Sequence, residues 1–113
     1  MNGGAQAEQW AAQYLQRNGL KLVKQNFRCR FGEIDLIMQD GTALVFVEVR
    51  LRSNADFGGA AASIDKRKQQ RIIRTAQHYL SGLANTPQCR FDVVLMGDAR
   101  GGQVQWLKNA FEA

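Results

Sequence analysis

Two apolar segments, residues 33–39 and 43–51, flank the dipeptide Asp40-Gly41, and this arrangement constrains the chain more than any other feature. Both segments are short, rich in Ile, Val, Leu and Phe, and bounded by turn residues, which is the pattern of β-strands. Asp-Gly between two such runs is a strong signal for a two-residue hairpin loop. With Asp40-Gly41 as the loop, Ile37 faces Leu44, Asp35 faces Phe46 and Glu33 faces Glu48. Side chains alternate across a strand. One face then collects Glu33, Asp35, Glu48 and Arg50 with Ile37, Leu44 and Phe46. The other collects Ile34, Leu36, Met38, Val45, Val47 and Val49, a continuous core surface.

The rest of the chain supplies what covers this hairpin. Residues 4–18 form an amphipathic helix in which Ala7, Trp10, Ala11, Tyr14 and Leu15 make the apolar stripe and Asn18-Gly19 the stop. Residues 20–31, with Lys21, Lys24, Arg28 and Arg30 among apolar residues, suit a partly exposed strand. Residues 53–63 are a small-residue loop without periodicity. Residues 64–82 form a second helix, capped by Ser63 or Asp65 and closed near Gly82, with Ile72, Ile73, Ala76, Tyr79, Leu80 and Leu83 as its buried stripe. After the Asn85-Thr86-Pro87 break come strands at 89–96 and 104–107. Meandering strands pair antiparallel, whereas a helix between two strands makes them parallel. The expected architecture is a single α/β domain over residues 1–113, a mixed β-sheet flanked by helices in the order α-β-β-β-α-β-β.

Composition narrows the function classes. The chain has 113 residues, 45% of them hydrophobic and 22% charged, which are globular values for one domain. The longest apolar run, Ala43 to Val47, is far too short to cross a bilayer. The first residues lack the pattern of a signal peptide. Cys29 and Cys89 have no ligand-like spacing and read as free thiols of a reducing compartment, so the expected location is the cytoplasm. A net charge of +5 favours a polyanionic partner. The sole histidine, His78, has no cysteine or carboxylate at zinc-ligand spacing.

Carboxylates inside apolar strands are costly unless they are paired, hydrogen-bonded or bound to a cation. In the expected register Asp35 and Glu48 are diagonal neighbours, about 7–8 Å apart at the backbone. Two carboxylates so placed can converge on Mg²⁺, which takes one or two carboxylates along with water and phosphate oxygens. Arg50 leaves the same face and is placed to meet a phosphate. Glu8, at the edge of the first helix's stripe, points toward the cluster if that helix packs there. The plainer alternative pairs Asp35 and Glu48 with Arg28, Arg30, Arg50 or Arg52 as surface ion pairs, worth about 0–1 kcal/mol each. Glu33, at a strand start, either caps a turn or pairs with an arginine.

Basic residues gather at the second helix. Lys66, Arg67 and Lys68 open it, and Arg71 and Arg74 follow. Cations at a helix N-terminus oppose the macrodipole. Contact with nucleic-acid phosphates accounts for them there; a solvated face balanced by Asp65 is the alternative. Arg50 and Arg52 lead into the 53–63 loop, where Phe57 either anchors the loop or reaches toward a base.

The segments Gly32 to Ile37, Val45 to Arg50 and Cys89 to Val94, with the first helix and Trp106 to Phe111, resemble the uncharacterised bacterial YraN-type family. The resemblance covers nearly the whole chain. It implies a restriction-endonuclease-like fold similar to archaeal Holliday junction resolvases, whose D…(D/E)xK motif binds Mg²⁺ (or Mn²⁺) and cuts phosphodiester bonds. It puts Asp35 and Glu48 in the two carboxylate places, Arg50 in the lysine place and Glu8 in that of a further helix-one ligand. Lys68 and Gln69 fall where related enzymes carry additional polar active-site residues. Arg50 departs from the pattern, because arginine keeps its charge and cannot serve as a base.

The expected function is therefore a metal-dependent, nuclease-type domain that binds structured DNA, in preference to RNA, and cleaves it. Asp35, Glu48 and Arg50 form its centre, and Arg50, Arg52, Lys66, Lys68, Gln69 and Arg71 its nucleic-acid contacts. The alternatives are a binding protein on the same fold that does not cut, and an adaptor for an acidic protein. A homodimer is implied by the likeness to junction resolvases.

Overall fold

A computed structural model describes residues 4–51, 64–98, 100 and 102–113. Helix α1 (Gly4–Arg17) precedes strands β1 (Lys21–Cys29), β2 (Gly32–Asp40) and β3 (Ala43–Leu51); helix α2 (Lys66–Ser81) and strands β4 (Cys89–Met96) and β5 (Gln105–Phe111) complete the order. The expected α-β-β-β-α-β-β order and α/β class are observed. The five strands lie side by side in chain order, antiparallel at every junction except β3–β4. That parallel junction is the one spanned by α2.

Among the described residues, one helix covers each face of the sheet. On one side Ile72, Ile73 and Ala76 of α2 pack with Ile37, Leu44, Phe46, Phe91, Val93 and Leu95. On the other, Ala7, Ala11, Ala12 and Leu15 of α1 pack with Leu36, Met38, Val45, Val47, Val49, Val94 and Met96. The small residues of α1 let its backbone approach the strands closely. Trp10 and Tyr14, expected in its stripe, sit at the margin, stacked at 5.5 Å, with Trp106 edge-on to Tyr14.

The hairpin differs from expectation by one step of the loop. Asp40 pairs with Ala43, Gln39 with Leu44 and Ile37 with Phe46, so the loop is Gly41-Thr42 and Asp40 belongs to the strand. Gly41 takes φ 61° and Thr42 stays out of the left-handed region, the signature of a type II′ turn with glycine first. The shift moves each partner by two residues, so the faces survive. Ile34 is the exception. It was expected beside Leu36 and instead joins Ile37 and Phe46 on the α2 side. The β2–β3 pairing stops at Leu36–Val47. Beyond it the backbone N–H of Val49 donates to the side chain of Asp35 rather than to a strand carbonyl.

Helix α2 is capped and closed as expected, at Asp65 and Gly82, whereas the last strand ends later than expected. Asp65 caps α2, its carboxylate accepting from the backbone N–H of Lys68 at 2.8 Å. The last helical residue is Ser81 and Gly82 is the cap; Leu83, expected in the buried stripe, lies beyond the cap and is 37% exposed. Strand β5 runs to Phe111, past the expected end at Leu107. Lys108-Asn109 breaks the apolar alternation, but Asn109, at φ 54°, donates its N–H to the buried carboxylate of Asp92. Asp92 also accepts from Trp106 Nε1 at 2.9 Å and from Arg90 Nε, and Arg90 reaches on to Asp40. A fully buried carboxylate thus ties β5 to β4.

Candidate functional site

The site lies where β2 and β3 stop pairing. Asp35 and Glu48 are the residues next beyond the last pair, Leu36–Val47, and their side chains come within hydrogen-bonding reach of each other, closer than the diagonal relation expected from the sequence. Both are buried, with 8% and 5% exposure. Asp35 Oδ2 accepts from Val49 N at 2.8 Å, so a carboxylate fills the place of a missing ladder acceptor. This holds Asp35 rigidly beside Glu48.

The cations are arranged unequally. Lys68 Nζ, from the first turn of α2, stands 2.8 Å from Glu48 Oε2, and Arg50 stands at 3.9 Å from the same oxygen. Arg50 is two residues along the strand from Glu48 and shares its face, but the short contact comes from the helix. The Asp65 cap sets the helix start from which Lys68 projects. Gln69 is turned elsewhere, its amide donating to the Ile64 carbonyl at 2.9 Å. Lys66 and Arg71 are exposed, and Arg71 borders the site. Arg52, with Phe57 and the rest of the 53–63 loop, lies outside the described residues.

On the α1 side, half-buried Glu8 is within hydrogen-bonding reach of the Asp35 and Asn26 side chains. Asn26 is a residue that sequence reasoning missed. It holds φ 52° within β1, a conformation that asparagine tolerates better than most residues. No sequence pattern marks it, since its partner Glu8 is on another element. Glu33 is peripheral, its side chain about half exposed and paired with Arg28 at 2.9 Å.

Burial dominates the electrostatics. It pushes the Glu48 carboxyl up to about 7; the neighbouring charge of Asp35 adds to this and Lys68 opposes it. Burial likewise pushes Asp35 up to about 6, opposed by the Val49 N–H and reinforced by Glu8. Glu8 is raised, again chiefly by burial. Removing three adjacent carboxyls from water raises the proton affinity of all three.

Two cavities meet at Asp35. One of about 210 Å³ is bordered by Gly32, Asp35, Glu48, Lys68 and Arg71. The other, of about 350 Å³, lies toward α1 beside Glu8, Asn26 and Arg28. Among the described residues no group of three or more His, Cys, Asp or Glu side chains converges tightly enough to hold a metal alone. The donor set nonetheless fits Mg²⁺ or Mn²⁺. It is all oxygen, it contains two buried carboxylates side by side, and Mg²⁺ needs only one or two from the protein.

The family model of Uncharacterised protein family UPF0102 matches residues 7–96, a span that holds Glu8, Asp35, Glu48 and Lys68. A UPF0102 protein of Nitrosomonas europaea is 55% identical over 98% of this chain and 94% of its own length. UPF0102 proteins of Nitrosospira multiformis and of a Janthinobacterium species are 52% and 56% identical over 96% and 97% of the chain, covering 92% and 87% of theirs. The chain belongs to the UPF0102 family, and the expected family resemblance is borne out.

Proposed function

We propose that the chain is a metal-dependent nuclease-type domain whose centre is the Asp35–Glu48 pair. The observation that carries this reading is the pair itself: two buried carboxylates face one another at the end of a strand ladder, with an ammonium 2.8 Å from one of them and a cavity in front. Ordinary surface ion pairs do not require such burial.

Asp35 and Glu48 would hold Mg²⁺ or Mn²⁺, with Glu8 beside Asp35. When bound, such a cation polarises a phosphate oxygen and makes a water more acidic. The Val49 N–H keeps Asp35 aimed into the site. Lys68 balances Glu48 and brings a mobile positive charge to the place where a scissile phosphate gains negative charge. Arg50 keeps a fixed charge nearby and offers a two-point clamp for phosphate. Arg71, at the cavity border, extends the positive rim. Structured DNA remains the preferred substrate class, and a homodimer and a cytoplasmic location remain part of the same proposal. No helix among the described residues is long and apolar enough to cross a membrane.

One observation favours a second reading, a nucleic-acid-binding protein that does not cut. Glu48 already has a close cation, and arginine stands two residues beyond it. Cleavage of a labelled four-way junction, flap, nicked duplex, single-stranded DNA and RNA in Mg²⁺ and in Mn²⁺ separates the two. Turnover by the wild type that is lost in Asp35→Asn and in Lys68→Ala supports the nuclease. Equal turnover by Asp35→Asn overturns it, and salt-sensitive binding without turnover establishes the second reading.

A further inference from the structure

Helix α2 carries one line of side chains from the carboxylates to an aromatic group that the proposed chemistry does not use. Lys68, Arg71, Thr75 and His78 follow helical spacing along one side of α2. Lys68 and Arg71 border the cavity. At Thr75 the helix meets the β1–β2 turn. A Cβ on Gly32, at φ 148°, would stand 3.2 Å from Thr75 Oγ1 and 3.7 Å from the Arg71 Cβ. The absence of a side chain lets the turn rest on the helix, and it brings Phe31 to His78. Their ring centroids are 5.9 Å apart at 60°. The Arg30 guanidinium lies 4.8 Å over the Phe31 ring. Arg74, exposed, precedes His78 by four residues.

Neighbouring Phe27, 6.3 Å from His78, packs on the core beneath α2. Phe31, His78 and Arg30 do not belong to either core cluster. Phe31 is half-buried, and Arg30 and His78 are exposed. Aromatic faces interleaved with guanidinium groups hold single-stranded nucleic acid, phosphates on the cations and bases on the rings. A continuous duplex keeps its bases stacked and offers such a surface only its backbone. Phe31 adjoins Gly32, which lines the carboxylate cavity, so a base on this platform belongs to a nucleotide close to the phosphate at the centre.

We infer that Arg30, Phe31 and His78, with Arg71 and Arg74, form a stacking platform for an unpaired base. The substrate class of the site is then nucleic acid with a single-stranded stretch rather than continuous duplex. The inference rests on the nucleic-acid part of the function proposed above.

Fluorescence anisotropy in EDTA reads binding without cleavage. The probes are a labelled single strand, an abasic strand of equal length, a blunt duplex and the same duplex with a short overhang. The wild type should bind the single strand at least about fivefold more tightly than the abasic strand, and the overhang duplex more tightly than the blunt one. Phe31→Ala and His78→Ala should each reduce both differences. Phe31→Trp should keep them, with its added emission quenched by the single strand and not by the abasic strand. Equal binding of normal and abasic strands by the wild type overturns the platform. So does a preference that survives in His78→Ala, an exposed position. Competition by polyglutamate as effective as that by the single strand also overturns it, in favour of an acidic protein partner. Base-dependent binding without turnover in Mg²⁺ or Mn²⁺ defeats the nuclease reading alone. Turnover with no base dependence defeats the platform alone.

Discussion

Lys68 and Glu48 meet at 2.8 Å across the gap between α2 and β3, although twenty residues separate them in the chain. Glu48 is 95% buried, so its charge has little access to water; the lysine side chain is about one-third exposed. The pair therefore joins a group that is costly to ionise to one that remains in contact with solvent. Removing the lysine leaves the cost and takes away the compensation.

Lys68→Ala should destabilise the protein by on the order of 1–3 kcal/mol at pH 8 and by clearly less at pH 5, where Glu48 carries its proton. Arg50→Ala, at 3.9 Å, should cost less at either pH. Urea unfolding of the three proteins at both pH values checks this. Equal losses from the two substitutions would show that Lys68 is not the principal partner.

The carboxyls should make stability fall as pH rises. Glu48 and Asp35 have folded values of about 7 and about 6, above their ordinary values of 4.5 and 3.8. The native state binds these protons more tightly than the unfolded chain does. Their contribution is thus fully present below about pH 4 and is lost as pH climbs through 6 to 7. It amounts to on the order of a few kcal/mol for the pair. The Glu48→Gln variant should be more stable than wild type at pH 8 and should show a flatter profile from pH 5 to 8. A wild-type profile that rises over this interval, with Glu48→Gln unchanged, would rule out the raised values.

A divalent cation should reverse that loss. At pH 8, millimolar Mg²⁺ or Mn²⁺ should raise the thermal midpoint of the wild type, because a ligand of the native state stabilises it by mass action. The shift should disappear in Asp35→Asn/Glu48→Gln. Calorimetric scans with and without metal give the answer, and an equal shift in the double variant would move the metal away from this pair.

Asp92 should matter for folding and not for the site. Its carboxylate is fully buried and accepts from Arg90, Trp106 and the Asn109 backbone. Asp92→Ala leaves those donors unsatisfied and Arg90 with Asp40 as its remaining carboxylate, a loss of about 3–5 kcal/mol. Chemical denaturation should show it, accompanied by a change in the near-ultraviolet signal of Trp106. A midpoint within about 0.5 kcal/mol of wild type would contradict this role.

Much of the fold was legible because hydrophobic periodicity is a local property. The strand pattern of 33–39 and 43–51 and the helical stripe of Ile72, Ile73 and Ala76 each follow from burying one face of one element. Even the misplaced loop, Gly41-Thr42 in place of Asp40-Gly41, left the faces intact, since a shift of two residues preserves strand parity. Ile34 escaped because the change happens where a side chain, Asp35, takes over from the ladder. Asn26 and the end of β5 escaped for a related reason. The Asn26 side chain meets Glu8 and the Asn109 backbone meets Asp92, carboxylates that lie on other elements.

The sequence alone determined the order of elements, the two apolar faces and the presence of Asp35 and Glu48 on a buried hairpin. These depend on the spacing of residues within a strand or helix, which the chain carries locally. Only the tertiary structure decided that the Asp35 and Glu48 carboxyls come within hydrogen-bonding reach, that Lys68 rather than Arg50 makes the close ion pair, and that Phe31 meets His78. Those relations arise where the ladder ends and where α2 packs on the sheet. Ångström-scale distances there depend on how all the layers settle together.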